Sequence, residues 1–171
     1  MIENYLKKPL FQIFKNIEDG LNSMSNYDKN IVYPNLDVQQ LAQRLGTATE
    51  AACRGELKKL GISCKSGNPK NKNEDDNIII GHPLFDHEMK LTLRKYTYKR
   101  RDIKKASWWT DRNGYDNKKR NFICIEAEYI NNKIIFHNIY VSFQKFSYND
   151  IHSNWLTETF IKENSFNIKL H

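Results

Sequence analysis

Helix-type and strand-type spacings of apolar residues occupy different parts of this chain, and their order limits the possible folds more than any other feature. Over residues 4–24 and 37–60, apolar side chains recur every three to four positions, which predicts two amphipathic helices. Segments typical of strands follow at residues 77–81, 87–93, 121–129 and 133–143. Asn131-Asn132 predicts a hairpin turn between the last two, and residues 155–161 suit a short closing helix. This order predicts an α/β domain with a mixed central β-sheet flanked by helices.

Residues that favour helix ends refine the two helical segments. Pro9 is expected to interrupt the first helix or to mark its start, because proline removes a backbone hydrogen bond. Asp37 suits the N-cap of the second helix, and Gly61 suits its C-terminal stop. We also expect a break in that helix near Gly46-Thr47.

The charge of the chain points to a phosphate-rich partner. Its 171 residues include 27 Lys and Arg against 20 Asp and Glu, which gives a net charge of +7. Such an excess is typical of proteins that bind nucleic acid, although a solvated lysine-rich surface would give the same number. The length suits a single domain over residues 1–171, with a helical N-terminal segment at residues 1–34.

The three cysteines and the hydropathy of the chain exclude several classes of protein. Cys53, Cys64 and Cys124 include no C-x-x-C pair, so we expect ordinary buried thiols and neither a disulfide framework nor a zinc site. No apolar run approaches the roughly 18 residues of a membrane span, and the first residues lack the pattern of a secretory signal. We therefore expect a cytoplasmic protein with no membrane partner.

A Glu-x-Lys triplet in the second strand segment is the feature that carries chemistry. Because side chains alternate along a strand, Glu88 and Lys90 are expected on one face, while Met89 and Leu91 point into a core on the other. The carboxylate can bind a divalent cation, and the ammonium then stands within reach of an attacking water or a scissile phosphate. The triplet therefore predicts an active-site face.

Further carboxylates near this triplet would complete the oxygen shell that Mg²⁺ prefers. Asp76 is the first choice and Asp75 its alternate, because both precede the first strand segment. Asp86 shares the parity of Glu88 and would serve if the intervening turn were shorter.

This ordered set of residues resembles the PD-(D/E)xK nuclease superfamily, and the resemblance covers residues 46–129 as a catalytic core. It implies a restriction-endonuclease-like fold in which Asp76, Glu88 and Lys90 are catalytic, and in which Asp76 and Glu88 bind Mg²⁺. The implied activity is hydrolysis of phosphodiester bonds in double-stranded DNA, most like that of a type II restriction endonuclease acting as a homodimer. The chain departs from the family pattern in having Asp75, not proline, before Asp76.

The resemblance also implies a catalytic acid on the preceding helix. If Cys53, Leu57 and Leu60 centre the buried stripe, Glu50 and Glu56 lie about 60° to either side of it, so helical geometry does not choose between them. Each resembles the placement in a different branch of the superfamily, and both stay candidates.

Two other sets of polar residues lie near the triplet in the strand segments. Glu126 and Glu128 share one face of the third strand segment, where they could add acid to the site or be ordinary surface carboxylates. His87 falls on the face opposite Glu88, and we interpret it as structural.

Residues 94–120 mix basic and aromatic side chains and form a candidate DNA-contact segment. Basic side chains hold phosphates, and aromatic rings stack on bases or wedge between them. A solvated loop whose tryptophans pack on the core is the alternative. The predicted contact residues are Lys99, Arg100, Arg101, Lys104, Lys105, Trp108, Trp109 and Arg112.

A competing interpretation concerns residues 35–62, which also resemble a winged helix-turn-helix. Gly46-Thr47-Ala48 would be the turn and residues 49–60 the recognition helix, in a DNA-binding regulator without catalysis. Two glutamates facing phosphates, and the more than 100 residues that follow, count against it.

Overall fold

The computed structural model describes most of the chain at the level of individual residues. The described residues are 2–24, 29, 36–67, 77–80, 86–93, 105–107, 119–147, 150 and 155–171.

Helix α1 spans Ile2–Asn22 and contains Pro9 in its interior. The expected interruption or start at Pro9 is therefore wrong. Proline removes the hydrogen bond to the carbonyl of Tyr5, a residue on the solvent side of the helix. The apolar face continues through this point from Leu6 to Leu10, both fully buried, and its packing outweighs the lost bond.

Helix α2 spans Val38–Lys59 without a break. The side chain of Asp37 accepts from the backbone N–H of Gln40, and the side chain of Gln40 accepts from the backbone N–H of Asp37. These two bonds form a capping box and confirm the predicted N-cap. Gly61 follows the helix with a φ of 75°, a conformation that favours glycine, as predicted for the stop.

The break predicted at Gly46 is wrong, because residues 46–48 are helical. A Cβ on Gly46 would lie only 3.7 Å from the Cβ of Leu91, so the helix approaches the sheet closely here, and that packing offsets the low helix propensity of glycine. The helix-turn-helix interpretation needs a turn at these residues and is therefore also wrong.

Six strands form the main sheet in the spatial order β1-β2-β3-β5-β6-β8. Strands β1, β2 and β3 pair antiparallel, β3 pairs parallel with β5, and β6 pairs antiparallel with both β5 and β8. Strands β4 and β7 form a separate two-stranded sheet. The bounds are β1 Ser63–Ser66, β2 Asn77–Ile80, β3 His87–Leu93, β4 Lys105–Ser107, β5 Asn121–Ile130, β6 Lys133–Ser142, β7 Trp155–Thr157 and β8 Ser165–Lys169.

This architecture confirms the predicted α/β class, with a mixed sheet and helices packed on it. The predicted strands and the hairpin between β5 and β6 are also present, and Asn131 and Asn132 turn with φ values of 51° and 61°. The helix predicted over residues 155–161 is only partly present. Residues 155–157 form β7, and Thr157 then caps α3, Glu158–Glu163, by accepting from the N–H of Phe160.

The sheet has two differently covered faces. Helices α1 and α2 pack on the helix face, where Met89, Ile123 and Val141 are buried in the larger hydrophobic core. The other side, which we call the opposite face, carries a smaller cluster: Phe122, Cys124, Tyr140, Phe146, Leu156 and Ile161. Among the described residues, no helix is long and apolar enough to cross a membrane.

Candidate active site

Glu88 and Lys90 lie side by side on the opposite face of β3. Strand alternation buries Met89 between them on the helix face, in the core covered by α2. The Nζ of Lys90 is 3.8 Å from Oε2 of Glu88. The predicted parity of these two residues is therefore confirmed, and β3 is an interior strand paired on both sides.

Arg120 is a buried partner of Glu88 that was not singled out from the sequence. Its Nη1 donates to Oε1 of Glu88 at 2.5 Å, and both side chains are almost fully buried. Two backbone hydrogen bonds between Arg120 and Phe146, of 2.8 and 2.7 Å, fix the arginine just before β5. A buried carboxylate needs such a cation. The contact depends on the parallel pairing of β3 with β5, which no local pattern in the sequence indicates.

Lys90 lies at the boundary between the buried cluster and solvent. Its backbone is in register with Cys124 on β5, and 21% of its side chain is exposed. Burial raises the pKa of the Cys124 thiol to about 12, although the positive charge of Lys90 acts in the other direction. The Lys90 side chain therefore sits beside an uncharged thiol and is partly exposed.

The described residues of this cluster carry more positive than negative charge. Arg120 and Lys90 carry two positive charges against the single negative charge of Glu88. Their excess suits a phosphate group, which needs cations and hydrogen-bond donors around it.

A divalent metal ion fits this donor set only in part. Oε1 of Glu88 accepts from Arg120, and Oε2 lies 3.8 Å from the Nζ of Lys90. Within the described part of the chain, no group of three or more His, Cys, Asp or Glu side chains could hold a metal ion. Mg²⁺ is commonly held by one or two carboxylates and keeps several waters, so Glu88 would need a second acid. Asp75 and Asp76, the predicted sources, fall outside the described residues.

The structure gives Asp86 a local role. Its Oδ1 accepts from the backbone N–H of Ile79 at 2.8 Å, which ties the start of β3 to β2. The carboxylate therefore takes part in the strand pair through Oδ1.

The two candidate helix acids lie on α2, which covers the helix face. Glu56 accepts from Lys59 at 2.7 Å and from Asn16 of α1 at 3.1 Å, and the bond from Lys59 is the main cause of a lowered pKa. Glu50 is half-buried on the same helix. Glu88 projects from the other face of the sheet, so the structure does not bring Glu56 together with it.

Glu126 and Glu128 also lie on the opposite face but engage other partners. Glu126 is fully buried and accepts from Asn138 at 3.2 Å. Oε1 of Glu128 is 3.1 Å from Nε2 of His137.

His87 joins α2 to the strands on the helix face. Nδ2 of Asn77 is 3.1 Å from Nε2 of His87, and Oδ1 of Asn77 accepts from Arg54 at 2.8 Å. Because the amide nitrogen donates, Nε2 of His87 acts as the acceptor. This chain of contacts fits the structural interpretation of His87.

The predicted DNA-contact residues lie outside what the structure describes, with one partial exception. The backbone of Lys105 forms the start of β4, and its side chain is not described. The other seven, Lys99, Arg100, Arg101, Lys104, Trp108, Trp109 and Arg112, are not among the described residues.

Comparison with protein-family models, with curated proteins and with solved structures gave no significant match to this chain.

Proposed function

We propose that this chain is a Mg²⁺-dependent endonuclease that hydrolyses phosphodiester bonds of double-stranded DNA, in the manner of a type II restriction enzyme. The observation that carries the proposal is the pair of Glu88 and Lys90, a carboxylate and an ammonium 3.8 Å apart on one face of an interior strand. A phosphodiesterase needs both an oxygen ligand and a positive charge at one place.

The order of the elements supports the same proposal. Helix α2 precedes a pair of antiparallel strands, two aspartates stand before the first of them in the sequence, and Glu-x-Lys lies in the second. This is the arrangement on which the resemblance to PD-(D/E)xK nucleases rests.

Each residue of the site has a distinct proposed role. Glu88 would bind Mg²⁺ together with Asp76, or with Asp75 as its alternate. When bound, the ion would supply Lewis acidity and lower the pKa of a coordinated water. Lys90 would offset the negative charge that builds up on the phosphate during attack. Arg120 would be a positioning residue, because its hydrogen bond to Oε1 fixes the Glu88 carboxylate in place.

The proposed partner is duplex DNA, held mainly through its phosphates. The net charge of +7 supports this class of partner. We propose the basic and aromatic residues of the 94–120 segment as its contacts, a cytoplasmic location, and a homodimer in which two sites address the two strands.

Supercoiled plasmid provides the direct test of this function. Purified protein with Mg²⁺ or Mn²⁺ is expected to convert the plasmid to nicked or linear forms, and EDTA is expected to stop the conversion. A parallel gel-shift measurement in Ca²⁺ separates binding from cutting. Tight DNA binding with no cleavage in any divalent ion would contradict the proposal and favour a DNA-binding protein without catalysis.

A further inference from the structure

Two buried cysteines lie on facing sides of the contact between α2 and the sheet. Cys53 is on α2 and is fully buried, and Cys64 is the one buried residue of β1. Both belong to the larger hydrophobic core, and α2 packs directly on β1. Cys53 therefore points from the helix toward the sheet, and Cys64 points from the sheet toward the helix.

Strand β1 runs back along α2. Strands β1 and β3 both pair antiparallel with β2, so β1 and β3 run in the same direction. Helix α2 runs in the opposite direction, because Gly46, near its start, lies over Leu91 of β3. Further along the helix, Arg54 donates to Asn77, which is in register with His87 at the start of β3. Helix α2 and strand β1 are therefore antiparallel to each other.

The turn after α2 sets the two cysteines at the same level. The backbone N–H of Ile62 donates to the carbonyl of Leu57 at 3.0 Å, which fixes the start of β1 beside the last turns of the helix. From Leu57 back to Cys53 the helix covers about 6 Å, at about 1.5 Å per residue. From Ile62 to Cys64 the strand covers about 6.6 Å, at about 3.3 Å per residue. Since the two paths run in the same direction in space, Cys53 and Cys64 end beside each other.

Helix α2 lies close enough to the sheet for two facing thiols to meet. Cys53 follows Gly46 by seven residues, about two turns, so the two share the sheet-facing side of the helix. A Cβ on Gly46 would be 3.7 Å from the Cβ of Leu91. Cysteines joined by a disulfide have Cβ atoms about 3.5–4.5 Å apart. The spacing between this helix and the sheet is therefore of the size that a disulfide spans.

The two thiols are protected to different degrees. Burial raises the pKa of the Cys53 thiol to about 12, and Cys64 is the next cause of that rise. Burial also raises the pKa of the Cys64 thiol, although Arg54 and Lys58 act in the other direction. Cys64 is 7% exposed against 0% for Cys53, and it lies on β1, the outermost described strand on this side of the sheet. Elements with few neighbours open locally at low cost, so a small oxidant reaches Cys64 first.

We propose that Cys53 and Cys64 are a redox-active pair that forms an intramolecular disulfide with a peroxide as the oxidant. The Cys64 thiolate attacks a peroxide oxygen, the O–O bond breaks, and a sulfenic acid and one water result. The Cys53 thiolate then attacks that sulfur, the S–S bond forms, and the S–O bond breaks to release a second water. Two thiols and one hydrogen peroxide thus give one disulfide and two waters. The bond clamps α2 to β1, and the proposal does not depend on the endonuclease activity.

Peroxide treatment of the full chain followed by peptide mass spectrometry tests the pair. Trypsin cuts after Arg54 and Lys59, so Cys53 and Cys64 fall in separate peptides. After hydrogen peroxide, alkylation of the remaining thiols and digestion without reductant, we expect these two peptides to be joined. Cys124 is expected to be recovered alkylated, because it lies in the cluster on the opposite face. Recovery of Cys53 and Cys64 in separate alkylated peptides, at a peroxide exposure that oxidises the urea-unfolded chain, would overturn the proposal.

Three variants assign the role of each thiol, and a thermal melt checks that each variant folds. Cys64→Ala should abolish the link and leave Cys53 unmodified. Cys53→Ala should also abolish the link, but the sulfenic acid at Cys64 should then persist and be trapped by dimedone. Cys124→Ala is the matched control and should form the link at a rate within about twofold of the wild type. A dimedone adduct at Cys53 in Cys64→Ala, or none at Cys64 in Cys53→Ala, would contradict the assigned order of attack.

Discussion

The Glu88 carboxylate is held between two cations of different exposure, and this determines how its neighbours respond to mutation. Arg120 is buried and hydrogen-bonded to it, whereas Lys90 is partly exposed and 3.8 Å away. Removing the buried partner leaves an uncompensated charge in the interior. Removing the exposed partner leaves the Glu88–Arg120 pair intact, so Lys90 can be changed with little loss of stability.

Arg120→Met tests this difference in urea unfolding. We expect it to lower the free energy of unfolding by about 3–5 kcal/mol, because Glu88 would be buried without its cation. Lys90→Met is the comparison, with an expected loss below about 1 kcal/mol. Equal effects of the two substitutions would contradict the account of the pair.

The shared face of Glu88 and Lys90 was predictable from the sequence, because alternation along a strand is a local property. The burial of Met89 on the other face follows from the same rule. Arg120 could not be assigned, since its contact with Glu88 depends on which strands pair. The same limit applies to Glu56, whose contact with Asn16 depends on how α1 and α2 pack.

Helix α2 shows where local sequence signals succeed at the scale of an element and where they fail. Both of its ends were predictable, because Asp37 and Gly61 act through backbone groups next to them in sequence. The continuity of α2 through Gly46 was not predictable, because this continuity depends on the close approach of the helix to Leu91 on β3. Tertiary packing here outweighs the propensity of a single residue.

Asp37→Ala tests the capping box of α2. The substitution removes the acceptor for the N–H of Gln40, and we expect a loss of about 1 kcal/mol in the free energy of unfolding. Asp19→Ala, an exposed aspartate in α1, is the matched control and should cost less than about 0.5 kcal/mol. Chemical denaturation followed by circular dichroism measures both, and equal losses would argue against the cap.

At the scale of the whole molecule, Glu18 of α1 joins the two termini to the sheet. Its carboxylate accepts from the backbone N–H of Phe136 at 2.8 Å, lies 2.8 Å from Nε2 of His171 and pairs with Lys15 at 3.0 Å. Burial raises the pKa of Glu18, but the bonds from Phe136, His171 and Lys15 outweigh burial and hold it below its ordinary value. The ionised form of Glu18 therefore stabilises the fold.

The stability that Glu18 contributes should depend on pH in a defined direction. A carboxyl whose pKa is lowered on folding contributes fully above its unfolded pKa of about 4.5, and that contribution is lost as the pH falls through the lower folded value. The difference in unfolding free energy between wild type and Glu18→Gln should therefore shrink from about pH 7 to about pH 3. Urea titrations across this range measure this difference in free energy. A difference independent of pH would count against the proposed contribution of ionised Glu18 to stability.

The α/β fold class was predictable from the order of helix-type and strand-type segments along the chain. The spatial order of the strands in the sheet was not predictable. The parallel contact of β3 with β5 joins segments on either side of residues 94–120, and the antiparallel contact of β8 with β6 uses residues 165–169. Neither pairing has a local signal comparable to the hairpin turn at Asn131-Asn132. The opposite face, with its Glu88 site, follows from those pairings.

We propose that Glu88 and Lys90 act as one catalytic unit, and a double-mutant cycle of single-turnover DNA cleavage tests this proposal. Glu88→Gln and Lys90→Met should each slow cleavage by at least about 100-fold, and the double variant should be no more than about threefold slower than the slower single variant. DNA affinity should stay near that of the wild type, and Glu128→Gln and Lys133→Met should cut normally. Near-normal cleavage by either single variant, in protein shown to be folded, would contradict the account.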